Sequence, residues 1–330
     1  MDSISILSFI GTLLLMVLGA IAVFMLYLTL RPLDLAQNPI PAKPATSYED
    51  ALNRISTYQA QDSGVCAECH SIALTHGQQV ERAVVFFHGY TNCPEQFRIL
   101  GERLHAQGYN VWIPRMPYHG LSDRMNDEHR QITARQLMQW GSDAIDIAQG
   151  LGKQVSVAGI SGGGILTAWI AQTRSDVALA LAIAPTFSYR QIPKAFVRQL
   201  TNFALTLPNL FVWWNPKLRE QAPGPQYGYP RFATHAVAEV LRLGLLLRQL
   251  ARSTKPAAAS IIVTMNPNDL IVDDALVNAV VADWRAHGAR VETYTFGAEL
   301  AVGHDIIDPH QPDQQTEVIY PTILRLLSGN

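Results

Sequence analysis

Charged residues are scarce in this chain of 330 residues, and cysteine is scarcer still. Lysine, arginine, aspartate and glutamate make up 16% of the residues, and the formal net charge is only −2. Because the sequence has no dense basic tract, we expect no nucleic-acid partner. The three cysteines, Cys66, Cys69 and Cys93, are too few for a disulfide scaffold, and an odd number leaves at least one thiol unpaired within a monomer.

Charge is entirely missing from the segment Ser3 to Leu30, where most side chains are large and apolar. About 20 helical residues cross the hydrocarbon core of a bilayer, so this segment is long enough to span one with some tilt. Residues 1–31 are therefore predicted to form a transmembrane helix that makes the chain a single-pass membrane protein. The main alternative is a cleaved signal peptide, whose apolar region is usually only about 7–15 residues after a basic start. A buried core helix is a weaker alternative.

Two features of the sequence indicate opposite membrane sides for the remaining chain. Arg31, Lys43 and Arg54 follow the apolar segment and no basic residue precedes it, which favours a cytoplasmic location by the positive-inside rule. A disulfide between any two of the cysteines would favour the opposite side.

Residues 32–80 are predicted to be a connector, because they contain four prolines and show little apolar periodicity. A short helix is expected to begin near Ser47. The connector also holds Cys66-Ala67-Glu68-Cys69-His70, a C-x-x-C-H sequence that is typical of haem attachment when taken alone. We expect instead a structural disulfide from Cys66 or Cys69 to Cys93, with a redox or metal site and free thiols as further alternatives.

Residues 81–330 show short apolar runs alternating with stretches of helical spacing. Strands are predicted at residues 83–87, 109–113, 155–158, 177–183, 259–264 and 291–296, and helices at residues 94–107, 132–151, 163–173, 273–287 and 316–327. This alternation predicts a mostly parallel sheet with helices on both faces. Residues 186–255 interrupt it and are too long and apolar for a plain loop, so we interpret them as an inserted helical lid.

One serine stands between glycines in Gly159-Ile160-Ser161-Gly162-Gly163, a G-x-S-x-G sequence. A strand-like run precedes it and a helix-like run follows it, which is the context that a nucleophile elbow requires. Such a turn would place the Ser161 hydroxyl at a helix N-terminus, where the helix dipole favours developing negative charge. Ser161 is thus the predicted nucleophile, and a purely structural turn is the alternative.

A serine nucleophile needs an adjacent base, which an acidic residue orients. Behind a nucleophile elbow the acid comes next along the chain, just past a late strand, and the histidine follows the last strand. Asp269 is therefore the predicted acid. Asp273 and Asp274 are rivals, but they look more like the start of a helix, where acidic residues are favourable.

The predicted base is His304, in the sequence Gly303-His304-Asp305 that follows the last predicted strand. Two other histidines are alternatives for this role. His287 lies at the end of a predicted helix, and His310 lies among prolines and polar residues. Both fit structural roles better than a catalytic one.

Two backbone N–H groups are predicted to form an oxyanion hole, because acyl transfer needs donors aimed at the tetrahedral oxyanion. One is the N–H of Gly162, directly after the serine. The other is the N–H of Tyr90 in Phe87-His88-Gly89-Tyr90-Thr91, which ends the first strong strand. Thr91 could add a hydroxyl, and His88 is expected to hold the loop through hydrogen bonds.

These residues resemble those of the α/β-hydrolase superfamily, and within it the lidded carboxylesterases and monoacylglycerol-lipase-like enzymes. The likeness covers roughly residues 83–327 and includes Arg115 to Ser122, which resembles the Pro-Gly-His-Gly-x-Ser loop of the family with Tyr118 where glycine is usual. The resemblance implies ester hydrolysis through an acyl-enzyme, with Ser161 attacking, His304 carrying the proton and Asp269 orienting His304. It implies neither a metal nor an organic cofactor.

The substrate is expected to be a small ester with a medium or long acyl chain. Trp213, Trp214 and several phenylalanines of the predicted lid could form an apolar wall of the cleft, although packing of the lid on the core is the simpler role for each. Two other functions stay open. The same three residues support acyl transfer to an acceptor other than water, and a hydrolase fold can also serve as a non-catalytic binding protein.

Overall fold

The computed structural model describes residues 3–32, 40–272 and 274–329. Nine helices of eight or more residues are found in these ranges: α1 (Ser3–Leu30), α2 (Tyr48–Gln59), α3 (Arg98–His105), α4 (Ala134–Leu151), α5 (Gly162–Thr173), α6 (Val197–Thr206), α7 (Thr234–Ser253), α8 (Asp274–Ala286) and α9 (Thr316–Ser328). The strands of the same ranges are β1 (Ile72–Leu74), β2 (Val80–Phe87), β3 (Asn110–Ile113), β4 (Gly152–Ile160), β5 (Leu179–Ile183), β6 (Phe211–Trp213), β7 (Arg231–Ala233), β8 (Ile261–Met265) and β9 (Val291–Thr295).

Seven of the strands form one sheet in the order β1-β3-β2-β4-β5-β8-β9. Every neighbouring pair is parallel except β1 with β3. The predicted mostly parallel α/β sheet is therefore confirmed. The edge strand β1 lies in the stretch that was predicted to be a connector, where a run of only three residues gives too weak a pattern to be recognised.

The core is divided by the sheet into two layers, and β2 shows how. Along this strand Ala83, Val85 and Phe87 face one cluster of buried residues, whereas Val84 and Phe86 face the other. All five side chains are fully buried, as expected for a strand covered on both faces. Buried residues of α4, α5, α7 and α8 complete the first layer, and those of α3 and α9 complete the second.

A long inserted segment joins β5 to β8 and carries α6, the strand pair β6–β7, and α7. The sequence predicted only helices here. Each of these strands has three residues, and this length explains why the antiparallel pair was missed. The predicted limits of the lid, residues 186–255, stay a prediction, as do the other domain limits.

Helix α1 contains the described stretch Leu7–Leu30, which has a mean hydropathy of 2.7 and is long and apolar enough to cross a membrane. An N-terminal signal sequence satisfies the same criterion, so the transmembrane assignment stays a prediction. Most of the large apolar side chains of this stretch are exposed, as they would be against lipid.

An ion pair and a disulfide link the segment between α2 and β1 to the sheet domain. Arg115 Nε lies 2.7 Å from Asp62 Oδ1, and the other oxygen of Asp62 accepts the Ser71 N–H at 2.8 Å. Cys69 is bonded to Cys93 with the Cα atoms 5.2 Å apart, and Cys66 is a free thiol. The residues around the C-x-x-C-H sequence therefore pack directly beneath the loop that follows β2.

Candidate active site

Ser161 lies on a sharp turn between β4 and α5, with φ 57° and ψ −116°. A positive φ is strained for a residue with a side chain, and such strain is found where a nucleophile must be held clear of the sheet. The neighbouring glycines are required by close packing. A Cβ on Gly163 would collide with the Phe87 carbonyl, and one on Gly159 would collide with the Gly163 carbonyl.

His304 and Asp269 are joined by a hydrogen bond of 2.6 Å between Nδ1 and Oδ2. Asp269 follows β8 and His304 follows β9, so adjacent parallel strands deliver the two side chains to the same edge of the sheet. The other carboxylate oxygen of Asp269 accepts the N–H groups of Ile271 and Val272 at 2.7 and 3.1 Å. All of these bonds hold the carboxylate in one orientation.

The two groups change one another's acidity in opposite directions. Burial opposes charge on both of them, yet the hydrogen bond and the opposite charges outweigh it. The pKa of Asp269 is therefore below the usual carboxyl value, and the pKa of His304 is above the usual imidazole value. This arrangement keeps Asp269 ionised and strengthens His304 as a base.

The serine hydroxyl is bonded to a residue that the sequence did not single out. Ser161 Oγ lies 3.1 Å from the hydroxyl of Thr186, which lies three residues past the end of β5. His304 Nε2 is buried and has no hydrogen-bond partner among the described residues. Ser161 and His304 nevertheless line the same cleft. Catalytic hydrogen bonds are often incomplete without substrate, so this geometry is compatible with a Ser161–His304 bond that forms later.

The backbone around Tyr90 approaches the start of α5 closely. A Cβ on Gly162 would lie 3.3 Å from the Tyr90 nitrogen, so the two predicted oxyanion donors are neighbours at the floor of the cleft. The N–H of Gly162 is at the first position of α5, where helix geometry supplies no acceptor. Thr91 differs from the expectation: its hydroxyl donates to the Tyr90 carbonyl at 2.6 Å and accepts from Trp214 Nε1 at 3.1 Å.

A buried glutamine, Gln96, connects the Tyr90 loop to the His304 loop. Its Oε1 accepts the Gly89 N–H at 2.8 Å and its Nε2 donates to Asp305 Oδ1 at 3.3 Å. Burial and the nearby Asp308 carboxylate raise the pKa of Asp305 to about 6, although the adjacent His304 opposes this. Neither Gln96 nor Asp305 carries a local sequence signal, because their contacts join positions about two hundred residues apart.

The rival residues lie in other settings. Asp273 falls outside the described residues, and Asp274 begins α8. His287 Nε2 contacts the Arg252 carbonyl on the surface. His310 packs edge-on against Tyr227. Neither His287 nor His310 is hydrogen-bonded to Ser161 or His304 in the part of the chain that the structure describes.

Two residues shape the loops below the cleft. His88 is buried, its Nδ1 contacts the Gly89 carbonyl, and its Nε2 accepts the Met116 N–H at 3.0 Å. It holds the loop, as expected. Tyr118 has φ 66°, so the backbone keeps the left-handed conformation that glycine adopts without strain. Hydrogen bonds from Gln136 to its hydroxyl and from Tyr229 to its carbonyl stabilise that conformation.

The cleft has a volume of about 390 Å³ and combines the loops after β2, β4, β5, β8 and β9 with the inserted segment. Trp214 lines it, whereas Trp213 does not and instead lies under the guanidinium of Arg219. Among the described residues no group of three or more histidine, cysteine or acidic side chains could hold a metal. Cys69 is taken up by its disulfide, so it is not available for haem attachment.

Comparison with known proteins gives one family and several structural relatives. A model of the alpha/beta hydrolase family matches residues 84–319, which confirms the resemblance stated from the sequence. A structure of the metagenome-derived lipolytic enzymes LipS and LipT is 18% identical, with 81% of this chain and 100% of the other covered and a TM-score of 0.60. A search of curated proteins finds no match.

Two further structures belong to enzymes that act on glycerides. The Paleococcus ferrophilus monoacylglycerol lipase is 17% identical, with 79% of this chain and 99% of the lipase covered and a TM-score of 0.58. The Saccharomyces cerevisiae monoglyceride lipase, a soluble variant with a substrate analogue, is 13% identical, with 79% and 91% covered and a TM-score of 0.60. At these identities the likeness establishes the fold alone.

Proposed function

The chain belongs to the alpha/beta hydrolase family, and from that premise we propose that it is a serine hydrolase that cleaves carboxylic esters. The observation that carries the proposal is the 2.6 Å bond between His304 and Asp269 in the cleft that also exposes the strained Ser161. Burying an ionised carboxylate and an imidazole costs free energy of desolvation. Activation of a nucleophile therefore explains this buried pair better than packing does.

The reaction begins with rotation of the Ser161 hydroxyl from Thr186 toward His304 Nε2. His304 removes the proton as Ser161 Oγ attacks the ester carbonyl, and the N–H groups of Tyr90 and Gly162 stabilise the oxyanion. His304 then donates the proton to the departing alkoxide, which leaves an acyl-enzyme. Water, activated by the same histidine, releases the acid. Asp269 orients the imidazole and stabilises its positive charge throughout.

The cleft and α1 together favour a lipid-like ester. Trp214 offers an apolar surface in the cleft that Ser161 also lines, and α1 is proposed to be a retained single-pass anchor that keeps this cleft near a bilayer. A medium or long acyl chain is therefore the proposed substrate group. Acyl transfer to another acceptor would use the same residues, and product analysis with and without added alcohol separates the two reactions.

Labelling with a fluorophosphonate probe tests the proposal directly, since such probes react with activated serines. The wild-type full chain in detergent should be labelled, and Ser161→Ala should lose both the label and at least about 1000-fold in p-nitrophenyl ester hydrolysis. Thr57→Ala, on the surface of α2, serves as the control. Folded wild-type protein that is neither labelled nor active would favour a non-catalytic binding protein. A rate that is highest for acetyl and falls with chain length would contradict the proposed acyl group.

A further inference from the structure

Exposed apolar side chains are concentrated in one part of the inserted segment. Outside α1, eleven large apolar residues of the described chain are exposed, and eight of them lie between residues 196 and 218. Leu200 and Phe203 lie three positions apart on one face of α6, and Phe196 and Leu207 cap the two ends of the helix. We name these four exposed side chains the α6 apolar face. Water-facing helices are normally polar on this side, so the face calls for an apolar partner.

The C-terminal end of α1 is hydrogen-bonded to α6. Asn202 Nδ2 donates to the Leu28 carbonyl at 2.7 Å, and Arg31 Nη1 donates to Thr206 Oγ1 at 2.7 Å. Leu28 is buried between the helices, and the rings of Phe24 and Phe203 lie 6.3 Å apart, edge to face. The two helices therefore form a specific joint, whose hydrogen bonds satisfy a carbonyl that the end of α1 leaves open.

The joint fixes the depth of α6 if α1 spans a bilayer. A hydrocarbon core of about 30 Å takes up about 20 of the residues from Leu7 to Leu30. Even a span that begins at Leu7 then ends beyond Phe24. Because Phe203 packs on Phe24, the α6 apolar face lies at the level of the membrane boundary and not above it.

The charge of this region fits a lipid surface as well. Between Arg190 and Arg219 the sequence contains five lysine and arginine residues and no aspartate or glutamate. Basic residues beside apolar ones are typical of segments that lie in the interface of a membrane with anionic lipids. Trp214, 40% exposed, follows the α6 apolar face along the chain and lines the cleft, so apolar surface continues from α6 toward Ser161.

We propose that the α6 apolar face is embedded in the same bilayer as α1, so that the enzyme takes its ester from the membrane rather than from water. This proposal rests on the membrane anchor and the ester hydrolysis given under Proposed function. The occupant of the face is lipid. A second copy of the chain or another protein would cover the same face without immersing it, and the experiments below distinguish these cases.

Depth-dependent quenching locates the face without any measurement of activity. The full chain with Cys66→Ser receives either Leu200→Cys on α6 or Val318→Cys on α9. Val318 is 51% exposed, and α9 packs on the opposite layer of the core. Each variant carries an NBD label and is reconstituted in phosphatidylcholine–phosphatidylglycerol vesicles with spin-labelled lipids. We expect at least threefold stronger quenching at position 200 than at 318. Equal quenching, or none at position 200, would overturn the proposal.

Comparing hydrolysis of an ester dissolved in water with that of an ester embedded in vesicles tests whether the substrate is taken from the membrane. The double variant Leu200→Glu, Leu207→Glu should hydrolyse soluble p-nitrophenyl butyrate within twofold of wild type, but a long-chain ester embedded in vesicles at least tenfold more slowly. The matched control is Leu52→Glu, Val318→Glu, exposed apolar positions outside the α6 apolar face, and both of its rates should stay within twofold. Equal losses on both esters would contradict the proposal. A wild-type enzyme inactive on both esters would refute the ester hydrolysis, and the quenching would still decide the location of α6.

Discussion

Among single residues, Asp305 is the one that we expect to tune the pH at which His304 works. The negative charge of Asp305 raises the pKa of His304, in addition to the larger effect of Asp269. A histidine acts as a base only when neutral, so activity should be lost as pH falls through its raised pKa. Asp305→Asn removes that charge and should shift the acid limb of kcat/KM to lower pH.

The measurement is a pH profile of kcat/KM on a soluble ester for the wild type and Asp305→Asn. Asp313→Asn is the matched control, since Asp313 lies on the same loop and accepts the Gly303 N–H. An acid limb that stays in place or moves to higher pH in Asp305→Asn would contradict the expected role. A shift of the same size in Asp313→Asn would assign the effect to loop movement.

The candidate site was predictable at the residues that carry local signals. The G-x-S-x-G sequence and the positions after late strands indicated Ser161 and His304, which line one cleft, and Asp269, which is hydrogen-bonded to His304. Thr186 was missed, because a threonine in a loop just past a strand is ordinary until the fold places its hydroxyl beside Ser161. Gln96 was missed for the same physical reason: its partners are adjacent only in the folded chain.

Among the secondary-structure elements, the loop after β2 depends on one covalent bond to the segment before β1. The disulfide between Cys69 and Cys93 closes a loop with a sequence separation of 24. Such a bond removes conformational entropy from the unfolded chain and contributes about 3 kcal/mol for a loop of this length. Cys93→Ser should therefore lower the free energy of unfolding in detergent by about that amount, as measured by urea denaturation.

The free thiol provides the control for this prediction. Cys66→Ser leaves the disulfide intact and should change the free energy of unfolding by less than about 0.5 kcal/mol. Equal losses in the two variants would show that Cys66, and not the disulfide, stabilises this region. No loss in Cys93→Ser would show that the non-covalent contacts of the segment, including Asp62 with Arg115, are sufficient to hold it.

The predictable elements were those whose length makes the apolar pattern clear. The parallel strands β2, β4, β8 and β9 and the long helices α4, α5 and α9 have continuous or periodic apolar runs and lie where the sequence indicated. The short strands β1, β6 and β7 form through pairing with partners elsewhere in the chain. Local propensity is too weak to reveal strands of three residues.

For the molecule as a whole, three buried histidines should make stability sensitive to acid. Burial lowers the pKa of His88 to about 3, of His119 to about 3 and of His129 to about 4. The unfolded chain binds protons at these groups below about pH 6.5 and the folded chain does not. Stability should therefore fall as pH drops from about 6.5 toward 4, by up to about 1.4 kcal/mol per pH unit for each histidine.

The share of one histidine can be isolated by comparing Tm at pH 7 and pH 5 in detergent. His129 stacks on Phe211 at 5.4 Å, and both of its ring nitrogens are buried without a partner among the described residues. His129→Phe should keep the packing and reduce the loss of Tm between the two pH values. His287→Gln, on the surface, should leave that loss unchanged. An unaltered pH dependence in His129→Phe would contradict the prediction.

The bond between Asn202 and Leu28 joins positions 174 residues apart, and this separation has a consequence for biogenesis. If α1 is the proposed membrane anchor, it enters the bilayer while the ribosome is still translating, long before the inserted segment has been made. Helix α6 must then find a partner that is already immersed in lipid. Folding of the hydrolase domain is thus expected to finish beside the membrane, with insertion as its first step.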